Sequence, residues 1–407
     1  MNLEFPLCRE PRHEERIRPA LEECVRFLTQ HLPARALVAV VLTGSFARGE
    51  GSVLPLGDAL KVLGDFEFFV VLTSEPEVRR RCRQFTAWGR EASAGLAARG
   101  VRAEVEFGPL DLAFFGRRAR PSIFVHDLRQ HGKVLWGPGD VLDAIPPFEP
   151  YQIPREDALH LTFNRTIEQL ATYDRVSHLA GDALLDASYQ RLKLTLDLAG
   201  SALAFTGTHT ALYHRRPAAF ARLLAETPSL QTRLPGTFLD DLERAARAKI
   251  DPADHFDGPP AWAALETQRE WLRRQALTAV PAVAGLLRWE LEQLLGVSDD
   301  LPPLLTRYAR TRPFGRRLWD WAKIALNPMP APLPISPRRA ARLFWISTPR
   351  ALLYAAGASA YLALGRSCAA LDEIAHLLPL SSAVQPRDAA GQRQTVVALW
   401  RWCVRNT

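Results

Sequence analysis

Asp65 and Glu67 stand two positions apart in Asp65-Phe66-Glu67-Phe68-Phe69-Val70-Val71-Leu72. The alternation reads as a strand, which puts both carboxylates on one face and Phe66 and Phe68 on the other. Two carboxylates side by side repel each other unless a cation sits between them. A hard dication such as Mg²⁺ takes oxygen ligands and shares them with substrate phosphates. Upstream, the apolar run Val38 to Leu42 reads as a buried strand that stops at Gly44-Ser45, and the residues after it are helix-compatible. A strand that feeds a helix through such a turn leaves backbone N–H groups for a phosphate. Gly44 has no side chain to keep an anion away, and Ser45 adds a hydroxyl donor. A phosphate cradle beside paired carboxylates is a nucleotide–metal site in outline.

Gly44-Ser45 followed by Asp65-Phe66-Glu67-Phe68 resembles the signature of the DNA polymerase beta-like nucleotidyltransferase superfamily. The resemblance implies a third carboxylate on a later strand. Val101-Arg102-Ala103-Glu104-Val105-Glu106-Phe107 alternates correctly for this, and Glu104 is favoured over Glu106. It also implies that Asp65, Glu67 and the third carboxylate hold Mg²⁺, two ions, with Mn²⁺ as a substitute. Gly44, Ser45 and Arg48 would then take the nucleotide's phosphates. Two features depart from the family. The gap from Ser45 to Asp65 is long, and Gly64 stands where a Ser often precedes the first Asp. The insertion from Glu50 to Gly64 is expected to be a loop over the site or a mark of drift from catalysis. Asp58 lies within it, but Asp58-Ala59-Leu60 offers no second carboxylate.

The elements that must position these residues follow in order. Apolar spacing from His13 to His31 predicts an amphipathic helix, and Pro76 opens a long helix through Arg99. The Arg79-Arg80-Arg81 run on that helix reads as a solvated face. Ser122 to Gly137 resembles a superfamily segment, a helix ending at glycine and then a short edge strand; His126 and His131 in it read as capping or surface residues. Pro146 to Pro150 marks a boundary, after which the pattern is helical over Ala158–Tyr173 and Asp182–Thr206. Tyr189 and Lys193 lie one turn apart on one helix face. The resemblance extends to a helical domain covering the active site, in which Tyr189, Lys193 and Arg216 contact the nucleotide. The competing readings are a snorkelling lysine and a helix-terminal charge pair. Asp251 to Pro260 reads as a turn rather than a metal site. The expected class is α+β: a small mixed-sheet nucleotidyltransferase domain (1–148), a helical domain (149–326), and a Pro-rich linker with a C-terminal helical segment (327–407).

Composition bounds the rest. The chain has 407 residues, 47% of them apolar and 23% charged, enough for two or three ordinary globular domains. Its net charge of +7 suits a nucleoside triphosphate or nucleic acid but is specific to neither. Cys8, Cys24, Cys82, Cys368 and Cys403 are dispersed, which predicts reduced thiols and a cytoplasmic location. The early mixed charges carry no apolar signal segment, and Ala351 to Gly365 is too short for a membrane span. The late tryptophans, Trp319, Trp321, Trp345, Trp400 and Trp402, are expected as core or interface packing residues. No P-loop, Rossmann glycine fingerprint, internal repeat or RNA-binding module stands out, so nucleic acid and membrane are not the expected partners. The resemblance implies transfer of a nucleoside monophosphate, AMP from ATP favoured, to a hydroxyl of a small molecule or protein. The alternative is a catalytically lapsed nucleotide-binding or protein-interaction module.

Overall fold

One mixed sheet carries the carboxylates, built from β1 (Leu37–Leu42), β2 (Ser52–Leu56), β3 (Ala59–Leu72), β4 (Val101–Asp111) and β5 (Lys133–Trp136). The long β3 organises it. β4 runs parallel to β3 along one side. β2 and β1 pair antiparallel with its first and last parts, and β5 closes the far edge against β1. The helices of this region are α1 (Glu14–His31), α2 (Gly44–Ala47), α3 (Glu75–Ala97) and α4 (Ile123–His131). Further on come α5 (Arg155–Tyr173), α6 (Asp182–Phe205), α7 (Arg216–Glu226), α8 (Pro228–Gln231), α9 (Phe238–Ile250) and α10 (Pro252–His255). The remainder holds α11 (Leu265–Thr278), α12 (Val280–Leu295), α13 (Leu301–Arg310), α14 (Phe314–Leu326), α15 (Pro337–Phe344), α16 (Pro349–Leu362) and α17 (Ala389–Asn406). The computed structural model describes residues 5–9, 11–256, 263–326, 336–364, 376–379 and 388–406, with side chains to 403. Cys368 and most of the Pro-rich linker lie outside the described residues.

The protein is mixed α+β, with the sheet near the N-terminus and helices after it. It forms two units. The first comprises 1–157, 206–220 and 240–257, and the second 158–205, 221–239 and 258–407. Consecutive boundaries at 148 and 326 do not describe this division, because two later segments belong with the sheet.

The stretch from Glu50 to Gly64, expected as a loop or a sign of drift, is sheet. Ser52–Leu56 pairs with Ala59–Leu63 across a turn at Gly57. Apolar side chains explain this, since Val53, Leu60, Val62 and Leu63 are all buried. Gly64, in the left-handed region at φ +98°, sits where the β3–β4 register slips between Lys61 and Asp65. A side chain disfavours such a kink, so the glycine at this place is a bulge residue. Beyond it the register runs Asp65 to Glu104 and Glu67 to Glu106. Phe66, Phe68, Val70 and Phe107 bury the opposite face with Phe46 and Phe85.

In the first unit, the arginine run of α3 is paired along its own helix. Arg79 reaches Glu75 at 2.6 Å, while Arg80 and Arg81 reach Glu77 at 3.0 and 3.1 Å. In the second unit every described element is helical. Its core includes Phe163 on α5 stacked on Tyr354 of α16 with ring centroids 5.0 Å apart. Asn164 accepts from Tyr354 Oη at 2.9 Å and from Trp400 Nε1 at 3.0 Å. A Cβ at Gly357 would overlap Ile167, so glycine there permits the close helix contact. The run at Ala351 is core helix, as expected, and among the described residues no helix is long and apolar enough to cross a membrane. Trp319 and Trp345 lie outside the core and are largely exposed, with Trp345 edge-on against Phe344 at 5.3 Å between ring centroids.

Candidate active site

Strand geometry brings three carboxylates together. One oxygen each of Asp65, Glu67 and Glu106 lies within 4.8 Å of the other two. Glu104, the favoured third carboxylate, is not among them; Glu106 is. The reason lies in the parallel pairing. Glu104 sits opposite Asp65, but Glu106 sits opposite Glu67, one step nearer the end of β1 where the chain turns at Gly44. Charges this close repel by roughly 1 to 4 kcal/mol per pair at effective dielectric constants from water to a protein surface. A divalent cation with oxygen ligands removes that cost.

Thr43 and Gly44 bring the other half of the site against these groups. Thr43 N–H donates to the Glu67 carbonyl at 2.9 Å, pinning the turn to β3. Gly44 has φ +70°, and a Cβ there would overlap Glu67 Oε2. The glycine therefore serves a close approach of backbone to carboxylate. Ser45, half-buried on the short α2, follows it. Thr43, Gly44, Arg48, Glu67, Glu106 and Asp127 line a common cavity of about 260 Å³.

Arg48 is the cation of this cavity, with its side chain 10% exposed. Burial alone would favour its neutral form. Tyr213, Asp127, Glu50 and Glu67 outweigh burial and hold the guanidinium above its ordinary range. Its Nη1 lies 3.4 Å from Asp127, and its Nε has no hydrogen-bond partner among the described residues. Asp127 is in turn held by His209, whose Nε2 lies 2.7 Å from the carboxylate and whose side chain is 1% exposed. His126 Nδ1 approaches the same oxygen at 3.5 Å. Burial would raise the Asp127 carboxyl, but the nearby His126 imidazole, the His209 hydrogen bond and the Arg48 charge hold it far below the usual range. His126, Asp127 and His209 offer a second possible metal-binding group. Asp127 is already engaged by a guanidinium and an imidazole, so its described role is to orient Arg48. The start of α4 that carries it is capped twice. Ser122 Oγ accepts from Val125 N–H at 3.1 Å, and Asp157 accepts from Ile123 N–H at 2.7 Å.

Behind Arg48 lies a buried polar network that sequence reasoning missed. Glu50 accepts from the backbone N–H groups of Tyr213 and His214 at 2.9 and 3.1 Å, and pairs with His214 Nδ1 at 2.7 Å. Burial pushes the Glu50 carboxyl up, but the His214 and Tyr213 bonds more than offset it and leave it below the ordinary range. Lys249 donates to the Glu50 carbonyl at 2.7 Å and to Ser52 Oγ at 2.8 Å. The Tyr213 ring is flanked by cations, with Arg216 at 4.2 Å, Lys249 at 5.1 Å and Arg48 at 5.2 Å from its centroid. Arg216, expected at the nucleotide, is buried against this ring and is not part of the cavity lining.

Tyr189 and Lys193 belong to the second unit, not to the one with the carboxylates. Tyr189 is buried in α6, and the Lys193 ammonium lies 5.9 Å from its ring centroid. Of the turn expected from Asp251 to Pro260, Asp251 stands at the start of α10 and pairs with Arg12 at 3.2 Å, while residues 257–260 lie outside the described residues. Compared with protein-family models, with curated proteins and with solved structures, the chain matches none.

Proposed function

We propose that the first unit is a metal-dependent nucleotidyltransferase that moves a nucleoside monophosphate, AMP from ATP favoured, to a hydroxyl of a small molecule or protein and releases pyrophosphate. One observation carries this reading: Asp65, Glu67 and Glu106 converge against the glycine of a strand-to-helix turn, in a cavity whose cation is Arg48. Mg²⁺ suits the donors, which are all carboxylate oxygens, and when bound it would neutralise charge on the triphosphate. Asp65, Glu67 and Glu106 would hold it.

The chain's own groups then divide the work. Gly44 allows the phosphates to come close to the backbone, and Ser45 donates its hydroxyl to them. Arg48 supplies a guanidinium to the phosphate oxygens, with Asp127 and His209 fixing its direction. Glu106, the exposed member of the triad, is assigned the proton of the acceptor hydroxyl.

The test is pyrophosphate release from ATP and Mg²⁺, with mass spectrometry of candidate acceptors. Glu67→Gln is expected to lower the rate by about 100-fold or more, the scale on which a single misplaced catalytic contact acts. Glu104→Gln is expected to change it only severalfold. ATP binding without turnover that is lost in Arg48→Ala would point to the lapsed module, and absence of any Arg48-dependent binding would remove both readings.

A further inference from the structure

The second unit holds a cavity of about 620 Å³ whose ionisable residues are all of basic type: Arg310, Arg338, Arg339, Arg342 and His376. They come from the last turn of α13, from α15 and from the stretch before residue 380. None of the described lining residues is acidic. Among the described residues, no carboxylate lies within ion-pair distance of Arg310, Arg338 or Arg342. That sets them apart from Arg79, Arg80 and Arg81, each of which has a glutamate partner on its own helix. Burial and the nearby Arg342 both lower the pKa of Arg339, so the cluster is under mutual repulsion. The floor is apolar, with Leu343, Ile346 and Leu352.

We propose that this cavity binds a small molecule that carries two or more phosphates on an apolar body, a nucleoside polyphosphate being the class that meets both demands. Guanidinium groups pair with phosphate oxygens two at a time, and several of them around one pocket match several negative charges. The volume falls within the range of small-molecule sites. The apolar floor gives the organic part a surface that a bare phosphate chain does not use. The proposal is independent of the transferase reading.

Calorimetric titration of the full chain tests it, with EDTA present and on the Arg48→Ala background, which removes the guanidinium of the carboxylate cavity. ATP and tripolyphosphate are the probes, and a single-stranded oligonucleotide is the competitor. Both anions are expected to bind, ATP the tighter by at least about threefold, because only it uses the floor. Arg338→Ala with Arg342→Ala is expected to weaken ATP by about tenfold or more, while Arg79→Ala leaves it unchanged. If the double alanine variant does not fold, Arg338→Lys with Arg342→Lys keeps the charge but loses the two-pronged contact, and a severalfold weakening is expected. Absence of anion binding overturns the proposal, as does binding indifferent to these variants. Preference for the oligonucleotide over ATP overturns it too, in favour of a nucleic-acid surface.

Discussion

Gly44 concentrates the local physics of the carboxylate site. Its φ of +70° costs an L-residue about 1–2 kcal/mol, and the space a Cβ would need is held by Glu67 Oε2. The obstructing atom is the end of a flexible side chain, so Gly44→Ala should fold, with a loss of about 1–2 kcal/mol by chemical denaturation. Its larger effect falls on the triad, because Glu67 must swing away from Asp65 and Glu106. Calorimetric titration with Mn²⁺ should then show weaker binding than in the parent protein; unchanged affinity would mean that the turn does not set the Glu67 rotamer. The paired carboxylates were legible in the sequence because alternation along a strand settles which side chains share a face. The third was not. Glu104 and Glu106 share that face, and the choice between them depends on a bulge at Gly64 and on strand register, neither of which local spacing encodes.

Among the elements, α6 and α12 are joined by a buried carboxyl. Glu290 on α12 is fully buried and accepts from Ser201 Oγ on α6 at 2.5 Å. Burial, only partly offset by that hydroxyl, pushes its pKa up to about 8. In an unfolded chain the group would titrate near the ordinary glutamate value of about 4.3. The folded pKa is raised, so the stabilisation is fully present below about pH 4 and is lost as pH climbs through about 8. The second unit should lose on the order of 4 kcal/mol between pH 5 and pH 9, and Glu290→Gln should remove most of that dependence. Thermal melts of both proteins at the two pH values decide it, and parallel pH profiles would show that Glu290 is ionised in the fold. The helices themselves were readable from apolar spacing, and α6 begins at Asp182 as expected. The misreading of residues 50 to 64 has a plain cause. Set against a shorter family gap, the extra residues look like a loop, although Ser52–Leu56 and Ala59–Leu63 carry the buried apolar side chains of a hairpin.

For the molecule as a whole, the decisive feature is that the first unit is discontinuous in sequence. Glu50, 1% exposed, is satisfied by Tyr213 and His214, and Lys249 is satisfied by the Glu50 carbonyl and Ser52. These partners lie 163 to 199 positions away, and long-range pairing of this kind leaves no periodic trace in a single sequence. That is why a boundary near 148 looks natural from the proline cluster while the fold draws residues 206–220 and 240–257 back to the sheet. A fragment ending at residue 157 would leave the Glu50 carboxylate without its described partners, at a cost of about 1–3 kcal/mol for each lost bond. It would also strip His209 from Asp127 and so unfix Arg48. The fragment is expected to aggregate or to lack a cooperative melt, measured by size-exclusion chromatography and circular dichroism. A soluble fragment with the full chain's pyrophosphate release would show instead that the returning segments are dispensable, and that the carboxylates and Gly44 alone make the site.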